Sequence, residues 1–171
     1  MVHGLNPVLH IEELTRLPLR RRPLAPPGSA QVYLGRSGRL YAPTGGLTTR
    51  ELFRLAPRRV YEVDLTPHPL ETTCELTGDA GERRAIIGVT GVWRTISPVA
   101  VVTHGVSDVA AIAQPHLLSL LRGAVAGVEW AGPEDLAGIL DGQAFPSVNL
   151  PEGICVYQIR ASVRGLVAGQ T

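Results

Sequence analysis

Lysine is absent from this chain, and all sixteen basic residues are arginines. No site chemistry needs arginine at every exposed position, so the bias reads as GC-rich coding rather than function. A long apolar run is also missing. The nearest approach, "SPVAVVTHGVSDVAAIAQPHLLSLL", is broken by His104, Asp108, Gln114 and Pro115, short of the roughly 18 apolar residues of a membrane span. The N-terminal stretch "MVHGLNPVLHIEELTRLPLRRRP" lacks the apolar core of a signal peptide, and its charges follow the short apolar segment instead of preceding it. Cysteine is scarce: Cys74 and Cys155 lie far apart with no CxxC, the pattern of free thiols in a reducing cytoplasm. Charge of one sign is lacking too. A formal net charge of +1 supplies no global field for nucleic acid, so no nucleic-acid partner is expected. These absences predict a cytoplasmic chain, at most peripheral to a membrane.

What is present suits one ordinary core. At 171 residues, 44% hydrophobic and 18% charged, the chain is long enough to fold without disulfide or metal support. Residues 1–28 read as an arm ending in the proline-rich linker "PLAPPG". Within it lies one possible helical turn or strand; as a helix, Val8, Ile11 and Leu14 would share a face, next to three consecutive arginines, Arg20, Arg21 and Arg22. These six residues are the predicted partner or membrane contact. Three arginines beside an apolar segment suit anionic lipid, at about 1 kcal/mol per charge near the surface.

The body, residues 29–165, opens with strand signals, and a short tail follows at 166–171. "AQVYLG" and "RLYAP" form a hairpin around "RSG", and "TGGL" marks a loop. "RRVYEVDL" alternates as a half-buried strand until Pro67-His68-Pro69 interrupts it. "ETTCEL" resumes with Thr72, Cys74 and Leu76 on one face, and "TGDAGE" turns into the long strand "AIIGVTGVWRT". There Gly88 and Gly91 predict a bend or bulge where another backbone approaches. Ser97-Pro98 starts a helix that Gly105 stops, and Ser107 to Arg122 forms a second, kinked at Pro115. Val109, Ile112, Ala113, Leu117, Leu120 and Leu121 are its buried stripe. A third helix opens at Pro133. "ICVYQIRASV", with Cys155, Tyr157, Ile159, Ala161 and Val163 alternating, closes the chain as a strand. Strands, then helices, then a strand predict an α+β fold, mainly antiparallel sheet with a few packed helices.

In order, "PPGSAQVYLGRSGRLYAPTGGL", "RRVYEVDLTPHPLE", "AIIGVTGVWRTISPVAVV", "DVAAIAQPHLLSLLRG" and "GICVYQIRASV" resemble the stomatin/prohibitin/flotillin domain, also called the band 7 or SPFH domain. Pro27-Gly28, Gly35-Arg36, Gly46-Leu47, Val63-Asp64-Leu65, Ser97-Pro98, Leu121-Arg122 and Gly153-Ile154 stand where that family has its turns, strand and helix ends. The turn Thr77-Gly78-Asp79 carries extra residues, and neither the family's membrane hairpin nor its coiled coil occurs among these 171 residues. The resemblance implies an SPFH-like scaffold that packs side by side into a homo-oligomer or docks on a larger protein complex.

The chemistry-bearing residues concentrate in "VYEVDLTPHPLETTCELTGDAG". His68, Glu71 and Cys74 form the alternative to the scaffold, a small thiol-dependent enzyme; a soluble subunit of a multi-protein particle is a further one. A nucleophilic cysteine needs a lowered thiol pKa, from a helix N-terminus or an adjacent imidazole. A strand position beside Thr72 and Leu76 offers neither, so Cys74 is expected in the core. Glu62, Asp64 and Glu71 read as carboxylates on an exposed strand face. His104 and His116 are too far apart for a helical metal pair. "GRSGRL" and "TGDAGE" lack the context and residues of a phosphate loop. No enzymatic activity, catalytic residue, cofactor or metal is expected. Two uncharged strands, "AIIGVTGVW" and "ICVYQI", are candidates for an edge at which copies associate.

Overall fold

Eight strands and four helices are present in the computed structural model, which describes residues 5–14, 25–77 and 84–167, with the backbone only at Val167. In chain order the elements are β1 (Val8–Glu13), β2 (Ser29–Leu34), β3 (Leu40–Tyr41), α1 (Thr49–Leu55), β4 (Arg59–Asp64), β5 (His68–Thr77) and β6 (Arg84–Thr95). They continue with α2 (Pro98–His104), α3 (Val109–Val125), α4 (Pro133–Asp141), β7 (Val148–Asn149) and β8 (Ile154–Val167). The strands form two antiparallel four-stranded sheets, ordered β1-β4-β2-β3 and β5-β6-β8-β7. The fold is α+β, as the order of sequence signals predicts. The chain divides into two compact units. The first takes residues up to Pro67 with Arg94–Val109 and Asn149–Cys155, and the second takes the remainder.

In the first unit β4 is the central strand. Val60 lies opposite Tyr33 and faces the cluster of Leu47 and Leu52, against which Leu14 and Leu55 pack. One residue on, Tyr61 lies opposite Val32 and turns to the other face, where α2 packs over β2, β3 and β4. Val60 and Val63 are both buried although their side chains leave opposite faces. The half-buried strand of the sequence reading is thus covered on both sides. The covering helix α1 follows what reads locally as a loop. Its signal is the capping box Thr48-x-x-Glu51, in which the Glu51 amide donates to Thr48 Oγ1 (3.3 Å) and the Thr48 amide to Glu51 Oε2 (2.9 Å).

Of the two readings of the arm, helical turn or strand, the strand is found, at Val8–Glu13. β1 pairs antiparallel with β4, His10 opposite Glu62 and Ile11 opposite Tyr61, while Val8 lies opposite Val63. The register shift between Val8 and His10 is a bulge at Leu9. A three-residue spacing would put Val8 and Ile11 on opposite faces of a regular strand. The extra residue returns them to one face, which is why the pattern resembles helical periodicity. Leu14 faces the other way.

The predicted interruption falls at residues 65–67, between β4 and β5, and in the second unit β5 already includes His68 and Pro69. β5 is the outer strand of its sheet, where Pro69 needs no amide for a second neighbour. Leu70, Cys74 and Leu76 are buried on one face. On β6, Ile87, Val89 and Trp93 share the buried side, as the alternation predicts. A Cβ on Gly91 would sit 3.1 Å from the Tyr157 carbonyl oxygen of β8, the close backbone approach expected there. Gly88 instead makes room for the side chain of Arg164. β8 departs from its predicted alternation: Ile154 and Val156 are buried, then Ile159. Gln158, at φ 53°, shifts the phase by one residue between them. Of the two uncharged edge candidates, β6 is paired on both sides, and β8 lies between β6 and the two-residue β7.

α2, α3 and α4 begin at or near their predicted starts. Ser97 Oγ accepts from the Ala100 amide, and Gly105 closes α2 in the left-handed region. α3 runs longer than predicted, with Val109, Ala113, Leu117, Leu121 and Val125 buried at four-residue spacing and Ile112 and Leu120 half-buried at its flanks. Among the described residues no helix is long and apolar enough to cross a membrane.

Gly153 holds the start of α2. Its carbonyl accepts from the amides of Ile96 (2.8 Å) and Ser97 (3.1 Å), and its φ is 84°. A Cβ there would overlap the Ser97 carbonyl oxygen and crowd the Ala100 side chain. Gly153→Ala is therefore expected to cost roughly 2–4 kcal/mol. Gly138→Ala, with open space on the exposed side of α4, should instead stabilise by up to about 1 kcal/mol. Urea denaturation of both variants checks this; equal midpoints would contradict the packing around Gly153.

Candidate functional site

The residues of the thiol alternative share one strand but do not converge. Side chains alternate along β5, so Glu71 projects from the face opposite to His68 and Cys74. Six residues of extended strand separate His68 from Cys74, on the order of 20 Å. Each has a different partner. The His68 ring stacks on Trp93, which it faces across the sheet, with centroids 4.9 Å apart. Arg164 Nη2 reaches Glu71 Oε1 at 3.4 Å on the exposed face. Cys74 is 2% exposed, its sulfur 4.0 Å from the Gln114 carbonyl oxygen of α3, and burial pushes its thiol above the ordinary value. Gln114 also donates from Nε2 to the Thr73 carbonyl (2.8 Å), pinning α3 beside this strand.

The other reactive residue types serve local structure. Glu62 accepts from Ser29 Oγ (3.1 Å), and Asp64 Oδ1 accepts from the Thr66 amide (2.8 Å) and hydroxyl (2.6 Å) in the turn after β4. His104 Nδ1 lies 2.9 Å from the Ala100 carbonyl oxygen, one helical turn back. No group of three potential metal ligands occurs among the described residues. Both cysteines are free, Cys74 buried and Cys155 half-buried.

The predicted contact residues fare differently. Val8 and Ile11 come together beside a groove of about 340 Å³, which is also lined by Tyr61, Val102 and Val106. The groove runs between β1 and the end of α2, and β1 is the outer strand of its sheet. Leu9 and Ile11 are 54% and 52% exposed there. Leu14 is separated from them, packed against the cluster on the opposite face. Arg20, Arg21 and Arg22 lie outside the described residues. The sequence reading missed Leu9 and His10; the signal for them is that an edge strand exposes its backbone and both faces at once. A second cavity, about 690 Å³, lies between Tyr41, Leu47 and α1, with Glu51 and Arg54 at its wall. Thr48 hydrogen bonds hold the Glu51 carboxyl below the usual carboxylate range, so that group is committed to the helix cap.

Comparison with known proteins finds no matching family model, no matching curated protein and no matching solved structure.

The Cys74 environment has measurable consequences. In native protein at pH 7, iodoacetamide should label Cys74 far more slowly than in unfolded chain. Cys74→Ala should cost about 1–2 kcal/mol. Because the folded thiol holds its proton more tightly, the unfolded chain ionises first, near pH 8.5. The contribution of the neutral thiol is complete below that value and declines as pH rises above it. Labelling at equal rates in folded and unfolded protein would contradict this.

Proposed function

We propose that this chain is a non-enzymatic scaffold domain, SPFH-like in type, that self-associates or docks on a larger assembly. Its contact surface is the outer strand β1 with the adjoining groove. The observation that carries this reading is the exposure of Leu9 and Ile11 on an edge strand. Native edges are usually blunted by bulges, charges or covering segments, and exposed apolar side chains on an edge favour a partner. The separate placement of His68, Glu71 and Cys74 supports a scaffold over the thiol chemistry. The SPFH resemblance supports association as the mode of action, at the cytoplasmic face of a membrane where Arg20–Arg22 would meet anionic headgroups.

Self-association is measured by sedimentation velocity of the purified chain across micromolar concentrations. The expected result is a concentration-dependent shift from the 18.2 kDa monomer to a larger species. A monomer throughout, alone and in stoichiometric mixture with cell extract, would overturn the reading.

A further inference from the structure

We infer that β1 pairs antiparallel with β1 of a second copy, about a two-fold axis at Ile11, joining the two first sheets edge to edge. This rests on the self-association proposed above and specifies its surface and register.

The backbone directions come first. Leu65 donates to Gly28 beside β2 and Asp64 to Pro7 beside β1, so amides alternate between the neighbours of β4. On β1 itself, the Leu14 amide donates to the Arg58 carbonyl (2.7 Å). By alternation His10 and Glu12 turn their backbone groups towards β4, and Ile11 and Glu13 turn theirs to the outer edge. Val8, beyond the bulge, has its amide bonded to Asn6 Oδ1 (2.9 Å). The outward backbone groups offered to a new strand are therefore those of Ile11 and Glu13.

The side chains then select the register. With the two-fold axis at Ile11, each Ile11 amide donates to the other copy's Ile11 carbonyl, and the two exposed isoleucines meet on the groove face. His10 of each copy falls opposite Glu12 of the other in a non-hydrogen-bonded pair, where side chains lie closest. Two imidazole–carboxylate pairs result, one on each side of the axis. Centring on Glu12 or Glu13 sets carboxylates face to face, a repulsive arrangement. Centring on His10 puts the histidines together and brings Glu12 against Val8, whose amide Asn6 already occupies. The bulge at Leu9 and the Glu13–Arg59 ion pair flank this short segment and limit the pairing to the residues around Ile11.

Site-directed cross-linking reads the register. In a Cys155→Ser background, His10→Cys chains are mixed with Glu12→Cys chains in a glutathione redox buffer, one chain isotopically labelled. Mixed disulfide dimers should exceed the yield of either variant alone several-fold. Ile11→Lys, which sets two cations across the axis at an exposed position, should weaken dimerisation at least tenfold in sedimentation while leaving the circular dichroism spectrum unchanged. Strong cross-linking of His10→Cys with itself, or an Ile11→Lys chain that sediments like the native one, overturns the inference. If the native chain associates but the mixed pair does not cross-link, this surface fails and the scaffold reading stands. A native chain that remains monomeric removes both.

Discussion

Hydrogen bonding of β4 to a neighbour on each side, with apolar cover on each face, is the constraint from which the first unit follows. Six residues carry it. Tyr61 and Val63 look towards the α2 face, Val60 towards Leu47, Leu52 and Tyr33, and the backbone joins β1 on one side to β2 on the other. A strand with no exposed face cannot tolerate a one-residue slip, because each buried side chain would exchange faces. That requirement dictates the bulge in β1. With Leu9 inserted, Val8 lies beside Val63 and Ile11 beside Tyr61 on the same face, while Leu14 still closes the cluster over α1.

Satisfying the centre moves the unsatisfied positions outward. A four-stranded open sheet ends in two edges, here β1 and the two-residue β3. The short edge offers little backbone to a partner. The longer one presents six residues, with Leu9 and Ile11 exposed and a groove beside α2. Its polar residues, His10, Glu12 and Glu13, stand about Ile11, between the bulge on one side and the Arg59 ion pair on the other. Edge, groove and charge pattern coincide because all three belong to one strand.

The second unit illustrates the contrary use of reactive residue types. A thiolate needs solvent or a cation to stabilise its charge. Cys74 has instead a desolvated position against α3, where the neutral thiol fills space as a small apolar group. His68 offers its ring face to Trp93, and Glu71 meets Arg164 on the far side of the strand. Period-two geometry makes this separation unavoidable: no regular strand brings residues three and six positions apart to one point.

Much of the fold is legible locally because its signals act over a few residues. The alternation in "RRVYEVDL", "ETTCEL" and "AIIGVTGVWRT", the Ser97-Pro98 start and Gly105 stop of α2, and Pro133 at the head of α4 each report a local backbone preference. Leu9 and Gln158 are different. Each is an inserted residue whose effect appears only when a partner strand sets the register, so Val8, Ile11 and Leu14 resemble a helical stripe and "ICVYQIRASV" a regular strand. α1 was hidden similarly: Thr48 and Glu51 form a capping box, but the helix is only seven residues long and depends on burial of Leu52. Of the candidate site, the sequence determined that Val8 and Ile11 are apolar residues near the start of the chain. Only the tertiary structure decided that they lie on an exposed edge, because edge or centre depends on which residues far along the chain supply the hydrogen-bonding neighbours.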